Sequence, residues 1–217
     1  MILLAIDSFS SVLSAAVSVK DEIHFSQADA PMRQSELVMD LIDDLLKKNS
    51  LKPDDLNGVL CMGGPGSFTG LRIGYSIGKA LALSLSIPFA PVPTLDCVAY
   101  GNSNLTLALV NARKDTFFYA FYKNNEKLTE DKEAEADYII KEIFKYKTEN
   151  EKLVLTGKGS SIFINSIPQD LKENIELNYS GKGYAEELIL IAKNKKIFEN
   201  DCTEYLYSGP DYLRNAI

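Results

Sequence analysis

Apolar and polar positions follow two different periods along the chain, and the switches between them outline its elements. Ile2 to Ile6 is a nearly continuous apolar run ending at Asp7-Ser8, the pattern of a central strand buried on both faces. Val12 to Val19 and Ile23 to Gln27 follow, joined by a tight Asp21-Glu22 turn, so the three segments predict an antiparallel meander. Beyond Pro31 the period changes. Leu37, Val38, Leu41, Ile42, Leu45 and Leu46 draw an apolar stripe at helical spacing from Gln34 to Asn49. Glu36, Asp40, Asp43 and Asp44 take the other side, and Lys47-Lys48 suit the negative C-terminal end of the helix dipole. Val59 to Met62 reads as a buried strand, Phe68 to Leu85 as a second long helix, Pro88 to Val92 as a strand and Thr94 to Tyr100 as a short helix.

The polar, turn-forming stretch Gly101-Asn102-Ser103-Asn104 is the best candidate boundary, giving an N-terminal lobe at 1–103 and a smaller α/β lobe at 104–217. In the latter, Thr106 to Val110 and Phe117 to Tyr122 read as strands flanking the loop Asn111-Ala112-Arg113-Lys114-Asp115. An amphipathic helix over Asp137 to Tyr146, a strand over Leu153 to Thr156 and a last helix over Tyr184 to Lys195 complete the pattern. The tail carries Tyr205, Tyr207 and Tyr212 around Pro210. A meander, then helix, strand, helix, strand, with a second α/β segment behind it, fits an α/β fold of two similar lobes.

Two features stand out against this background. Gly63 to Gly70 places a glycine-rich loop between a strand and a helix start, with Ser67 positioned as N-cap. Such a loop can offer free N–H groups to an anion, or simply make a tight turn. It is neither a P-loop, since Leu71-Arg72 follow Gly70 where lysine is required, nor a dinucleotide fingerprint, being one residue too long. The helix that follows repeats Gly70, Gly74, Gly78 and Ala82 every fourth residue, beside a separate Ile73, Ile77, Leu81, Leu85 face. Interior glycines cost roughly 0.5–1 kcal/mol each against alanine, so a close contact must offset them. Either the helix presses onto its own sheet, or another helix approaches it there.

Composition narrows the chemistry. A net charge of −7 argues against autonomous binding to nucleic acid, which relies on Lys and Arg. The three cysteines are widely spaced and form no disulfide framework, which fits a reducing compartment. Met1 to Asp7 lacks the basic start of a signal peptide, and no apolar run approaches the roughly 20 residues a bilayer requires, so a cytoplasmic location is expected. His24 is the sole histidine, so two imidazoles at helical spacing cannot form a metal site. Asp7 can hold a hydrated cation or cap the turn after it. Bulky Phe9, with no glycine beside it, makes a poor phosphate cradle. Arg113 lies in the other loop able to face a cleft. No catalytic or metal residue is assigned.

The nine residues Gly64, Pro65, Gly66, Ser67, Phe68, Thr69, Gly70, Leu71 and Arg72 carry a resemblance: they are similar to the most recognisable motif of the TsaB (YeaZ) family. The resemblance implies an actin/Hsp70/sugar-kinase-like (ASKHA, ribonuclease H-like) fold with two lobes of mixed sheet and flanking helices. It implies a non-catalytic scaffold, not a glycoprotease, which heterodimerises with the catalytic subunit TsaD. TsaD transfers threonylcarbamoyl to adenosine 37 of tRNAs reading ANN codons, and the ATPase TsaE joins the assembly. ATP and a metal then belong to the partner subunits, and tRNA is met only through the complex. The chain departs from the family at Asn111, where Asp is common, and at Gln34, where His is common. The resemblance places the contact on the two long helices of the first lobe. Periodicity nominates Val38, Ile42, Gly74 and Gly78 there, with Leu37, Leu41 and Leu45 as the alternative sheet-facing set. Other readings are an ATP-dependent small-molecule kinase of the same fold and a homodimeric interaction module.

Overall fold

A computed structural model describes residues 1–149, 151–179 and 181–213. The described residues divide into two compact units: 1–93 with 182–212, and 94–181 with 213. The first runs β1 (Leu3–Asp7), β2 (Val12–Val19), β3 (Glu22–Asp29), α1 (Gln34–Lys48), β4 (Gly58–Met62), α2 (Phe68–Leu85) and β5 (Phe89–Val92). The second holds α3 (Thr94–Ala99), β6 (Leu105–Asn111), β7 (Thr116–Lys123), β8 (Glu126–Lys127), β9 (Lys132–Glu135), α4 (Ala136–Tyr146), β10 (Leu153–Thr156), α5 (Ser160–Phe163), α6 (Gln169–Lys172) and β11 (Ile175–Asn178). The chain then returns to the first unit with α7 (Ala185–Asn194).

The first sheet has the order β3-β2-β1-β4-β5, with β1 antiparallel to β2 and parallel to β4. All five residues of β1 and of β4 are buried, as unbroken apolar runs in the middle of a sheet require. Successive side chains point to opposite faces. Leu4, Ile6, Val59, Cys61 and Phe89 meet Val38, Ile42, Leu45, Leu46 and Tyr75 of the two long helices. Asp7 and Ser14 point the other way, toward the N-terminus of α7.

The second sheet repeats the scheme. Its order is β11-β10-β6-β7-β8, with β9 also on β7, and β6 is antiparallel to β7 and parallel to β10. Its core gathers Leu107, Tyr119, Phe121, Ile139, Leu155 and Phe163. The same topology built from dissimilar sequence is the two-lobed α/β architecture of the actin, Hsp70 and sugar-kinase class.

The unit boundaries differ from the expected division at 103/104 in two ways. The short helix at Thr94–Ala99 belongs to the second unit, where the Tyr122 hydroxyl donates to Asp96 at 2.8 Å and Thr156 Oγ1 donates to the Val98 carbonyl at 3.1 Å. Residues 182–212 return to the first unit, because α7 buries Leu188, Ile189 and Ala192 and bonds β1 and β2 through Asp7 and Ser14. A polar turn marks solvent, and solvent can touch the chain inside a unit as well as between units. Among the described residues no helix is long and apolar enough to cross a membrane.

Candidate functional site

The glycine-rich loop is built as an N-terminal cap. Ser67 Oγ accepts the Gly70 amide at 3.3 Å, so Ser67 is the N-cap of α2, as its residue type predicts. The glycines are accounted for by packing. Gly64 has φ +104°, and a Cβ there would overlap the Asp211 carbonyl oxygen; the Asp211 amide donates to the Gly63 carbonyl at 2.8 Å. A Cβ on Gly70 would run into the Ser8 carbonyl, and Ser8 Oγ donates to the Gly70 carbonyl at 2.8 Å. Pro65 is buried and Leu71 lies in the core, whereas Ser67, Phe68, Thr69 and Arg72 are exposed.

The glycine stripe of α2 faces the protein's own sheet. A Cβ on Gly78 would sit 2.7 Å from Phe89 Cε2, and one on Gly74 would sit 3.1 Å from Ser8 Oγ. Val38 and Ile42 are likewise core residues, at 0% and 3% exposure. The four residues nominated as partner contacts are therefore corrected: Val38 and Ile42 pack in the core, and Gly74 and Gly78 lie against the sheet. The helical period located an apolar stripe but not its direction, and here the sheet claims the glycine face because Phe89 and Val59 fill the space that side chains would occupy. In α1 the sheet-facing set is Val38, Ile42, Leu45 and Leu46, with Leu37 and Leu41 half-buried.

What the two helices leave outward is an open groove of about 580 Å³ lined by Ser35, Met39, Phe68, Thr69, Arg72, Ile73, Ser76 and Ile77. Met39 is 48% exposed and Phe68 39%, an apolar floor rimmed by small polar groups and one guanidinium. The position of Met39, in the polar-facing half of the α1 pattern, kept it out of the apolar stripe. The Arg72 guanidinium stacks 3.7 Å from the Phe68 ring centroid, and Arg72 Nε donates to the Tyr212 hydroxyl at 3.1 Å. The tail thus adds a residue to this face that only the tyrosine spacing around Pro210 hinted at.

Asp7 is wholly buried. It accepts the Tyr184 amide at 2.8 Å, the Phe9 amide at 3.2 Å and the Ser14 hydroxyl at 3.4 Å. Burial pushes its pKa up to about 6, against those three donors, and Glu187 adds a smaller push in the same direction. Its carboxylate caps the turn after it through the Phe9 amide, and it also ties β1 to β2 and to the start of α7. Arg113 is exposed on the β6–β7 turn, where its carbonyl accepts the Thr116 amide and hydroxyl.

Fold and groove define a two-lobed protein of the sugar-kinase class with an open helix pair on its first unit. The family model for "TsaD: tRNA N6-adenosine threonylcarbamoyltransferase" matches residues 22–204. The TsaB protein of Buchnera aphidicola subsp. Schizaphis graminum is 31% identical over 73% of this chain and 79% of its own. That of Buchnera aphidicola subsp. Acyrthosiphon pisum is 28% identical over 95% and 98%. The solved structure of YeaZ from Pseudomonas aeruginosa superposes with a TM-score of 0.83 over 98% of this chain and 99% of that one, at 21% identity. The chain belongs to the TsaB family, within the wider group that the TsaD model describes.

Proposed function

We propose that this chain is a non-catalytic scaffold subunit of the machinery that makes threonylcarbamoyladenosine at position 37 of tRNA, and that it acts by pairing with TsaD. The names of its relatives supply the pathway. The observation that carries the pairing is the open groove between α1 and α2, with Met39 and Phe68 on its floor. The TsaD model matches a region that includes both helices, which supports a partner that brings a related helix pair to this surface. Two related chains meeting through equivalent faces form a closed pair, the commonest way for such subunits to assemble. An acidic chain of net charge −7 relies on that partner to meet tRNA. TsaE joins the pair, and ATP and metal are handled by the partners.

Reconstitution tests this reading. Transfer to tRNA should require this chain and TsaD together, with TsaE and ATP present. Transfer, or steady ATP turnover, by this chain alone would overturn it and favour the small-molecule kinase. A stable homodimer that excludes TsaD would favour the lone interaction module.

A further inference from the structure

The segment after a short 3-10 helix at Thr203–Leu206 runs as a strap along α2 toward the glycine loop. Lys79 Nζ donates to the Leu206 carbonyl at 2.9 Å and also to the Ser208 carbonyl. The Asp211 amide donates to the Gly63 carbonyl, and Gly64 has no side chain to obstruct that approach. The strap ends in Tyr212, whose ring lies 4.9 Å from the Phe68 ring and whose hydroxyl accepts from Arg72. Phe68, 39% exposed, is therefore contacted by both a tyrosine ring and a guanidinium that are bonded to each other.

We infer that Tyr212 is a positioning residue for partner docking: the strap holds Phe68 and Arg72 in one arrangement at the end of the α1–α2 groove before the partner arrives. This rests on the reading of that groove as the TsaD-docking face. Tyr212 itself does not line the groove. Its effect is to remove side-chain freedom that docking would otherwise have to freeze out. Immobilising two long side chains weakens an interface by about tenfold in affinity, the size of effect to expect when the clamp is lost.

Binding of purified TsaD is measured by calorimetry for the wild-type chain, Tyr212→Ala, Tyr212→Phe and Met39→Glu, with the thermal midpoint of each. Tyr212→Ala is expected to bind about tenfold more weakly at an unchanged midpoint. Tyr212→Phe keeps the ring stack and loses only the Arg72 acceptor, so it should recover part of the affinity. Met39→Glu should abolish binding. Wild-type affinity in Tyr212→Ala, with binding lost in Met39→Glu, overturns the strap alone. A loss in Tyr212→Ala that tracks a lowered midpoint, unrelieved in Tyr212→Phe, also overturns it. If Met39→Glu binds like wild type, the groove reading and the strap fall together.

Discussion

The Tyr184 amide donates to Asp7 Oδ2 at 2.8 Å, joining the end of the first strand to the start of the last helix across 177 positions of sequence. Ser14 completes the junction by donating to the same oxygen and accepting the Ala185 amide at 3.2 Å. A carboxylate at that point satisfies orphan donors at a helix start, and its cost is burial of charge.

That cost has a pH signature. The folded state holds the Asp7 proton up to about pH 6, whereas an unfolded Asp releases it near 3.8. Folding therefore binds a proton in this window, and the Asp7 contribution declines as pH rises from about 4 to about 6, then stays flat. The displacement corresponds to roughly 3 kcal/mol as an upper figure. Urea unfolding of wild type and Asp7→Asn at pH 4.5, 5.5 and 7 should show wild type losing ground to the variant as pH rises. Parallel curves would contradict the burial account. Glu187, whose Oε2 is buried without a partner among the described residues, faces the same junction and has its own pKa raised by burial. Glu187→Gln should lower the pH at which the Asp7 effect ends.

The glycine stripe predicts a folding defect rather than a docking defect. Leucine at position 78 would overlap Phe89, and at position 74 it would press on Ser8 and Cys61. Overpacking of this kind costs about 1–3 kcal/mol or more, so Gly78→Leu should show a clearly lowered urea midpoint. A Gly78→Leu protein of wild-type stability would mean that the helix does not sit on the sheet as described.

Loss of the α2 cap should be smaller and separable. Ser67→Ala removes the acceptor for the Gly70 amide and leaves the groove floor untouched. A destabilisation of about 1 kcal/mol is expected, visible in the denaturant midpoint with its slope unchanged. Ser67→Asp should restore most of the loss, since aspartate caps as well as serine and favours the positive helix end.

Much of the fold was legible because its central strands are uniformly apolar and its long helices strictly periodic. Leu3–Asp7, Gly58–Met62, α1 and α2 all fall where the pattern puts them. Strands β8, β9 and β11 escaped it because edge strands facing solvent show neither alternation nor an apolar run; Ile175–Asn178 is exposed over most of its length. The nine-residue motif was readable as a cap and a turn, and Ser67 behaves as its type suggests. The direction of each helix face was not. Val38 and Gly78 belong to stripes that period alone cannot aim, and only the sheet residues opposite them, Val59 and Phe89, decide the matter. The Tyr212 clamp joins residues 140 positions apart, a relationship no local pattern encodes.

The most direct test of the central claim is sedimentation of TsaD mixed with this chain carrying Met39→Glu, beside Met32→Glu as control. Met32 is 95% exposed and lies outside the groove, so the two variants add the same charge in different places. The account predicts that wild type and Met32→Glu travel as a heterodimer with TsaD while Met39→Glu, equally folded, travels alone. A Met39→Glu heterodimer as stable as the wild-type one would contradict it.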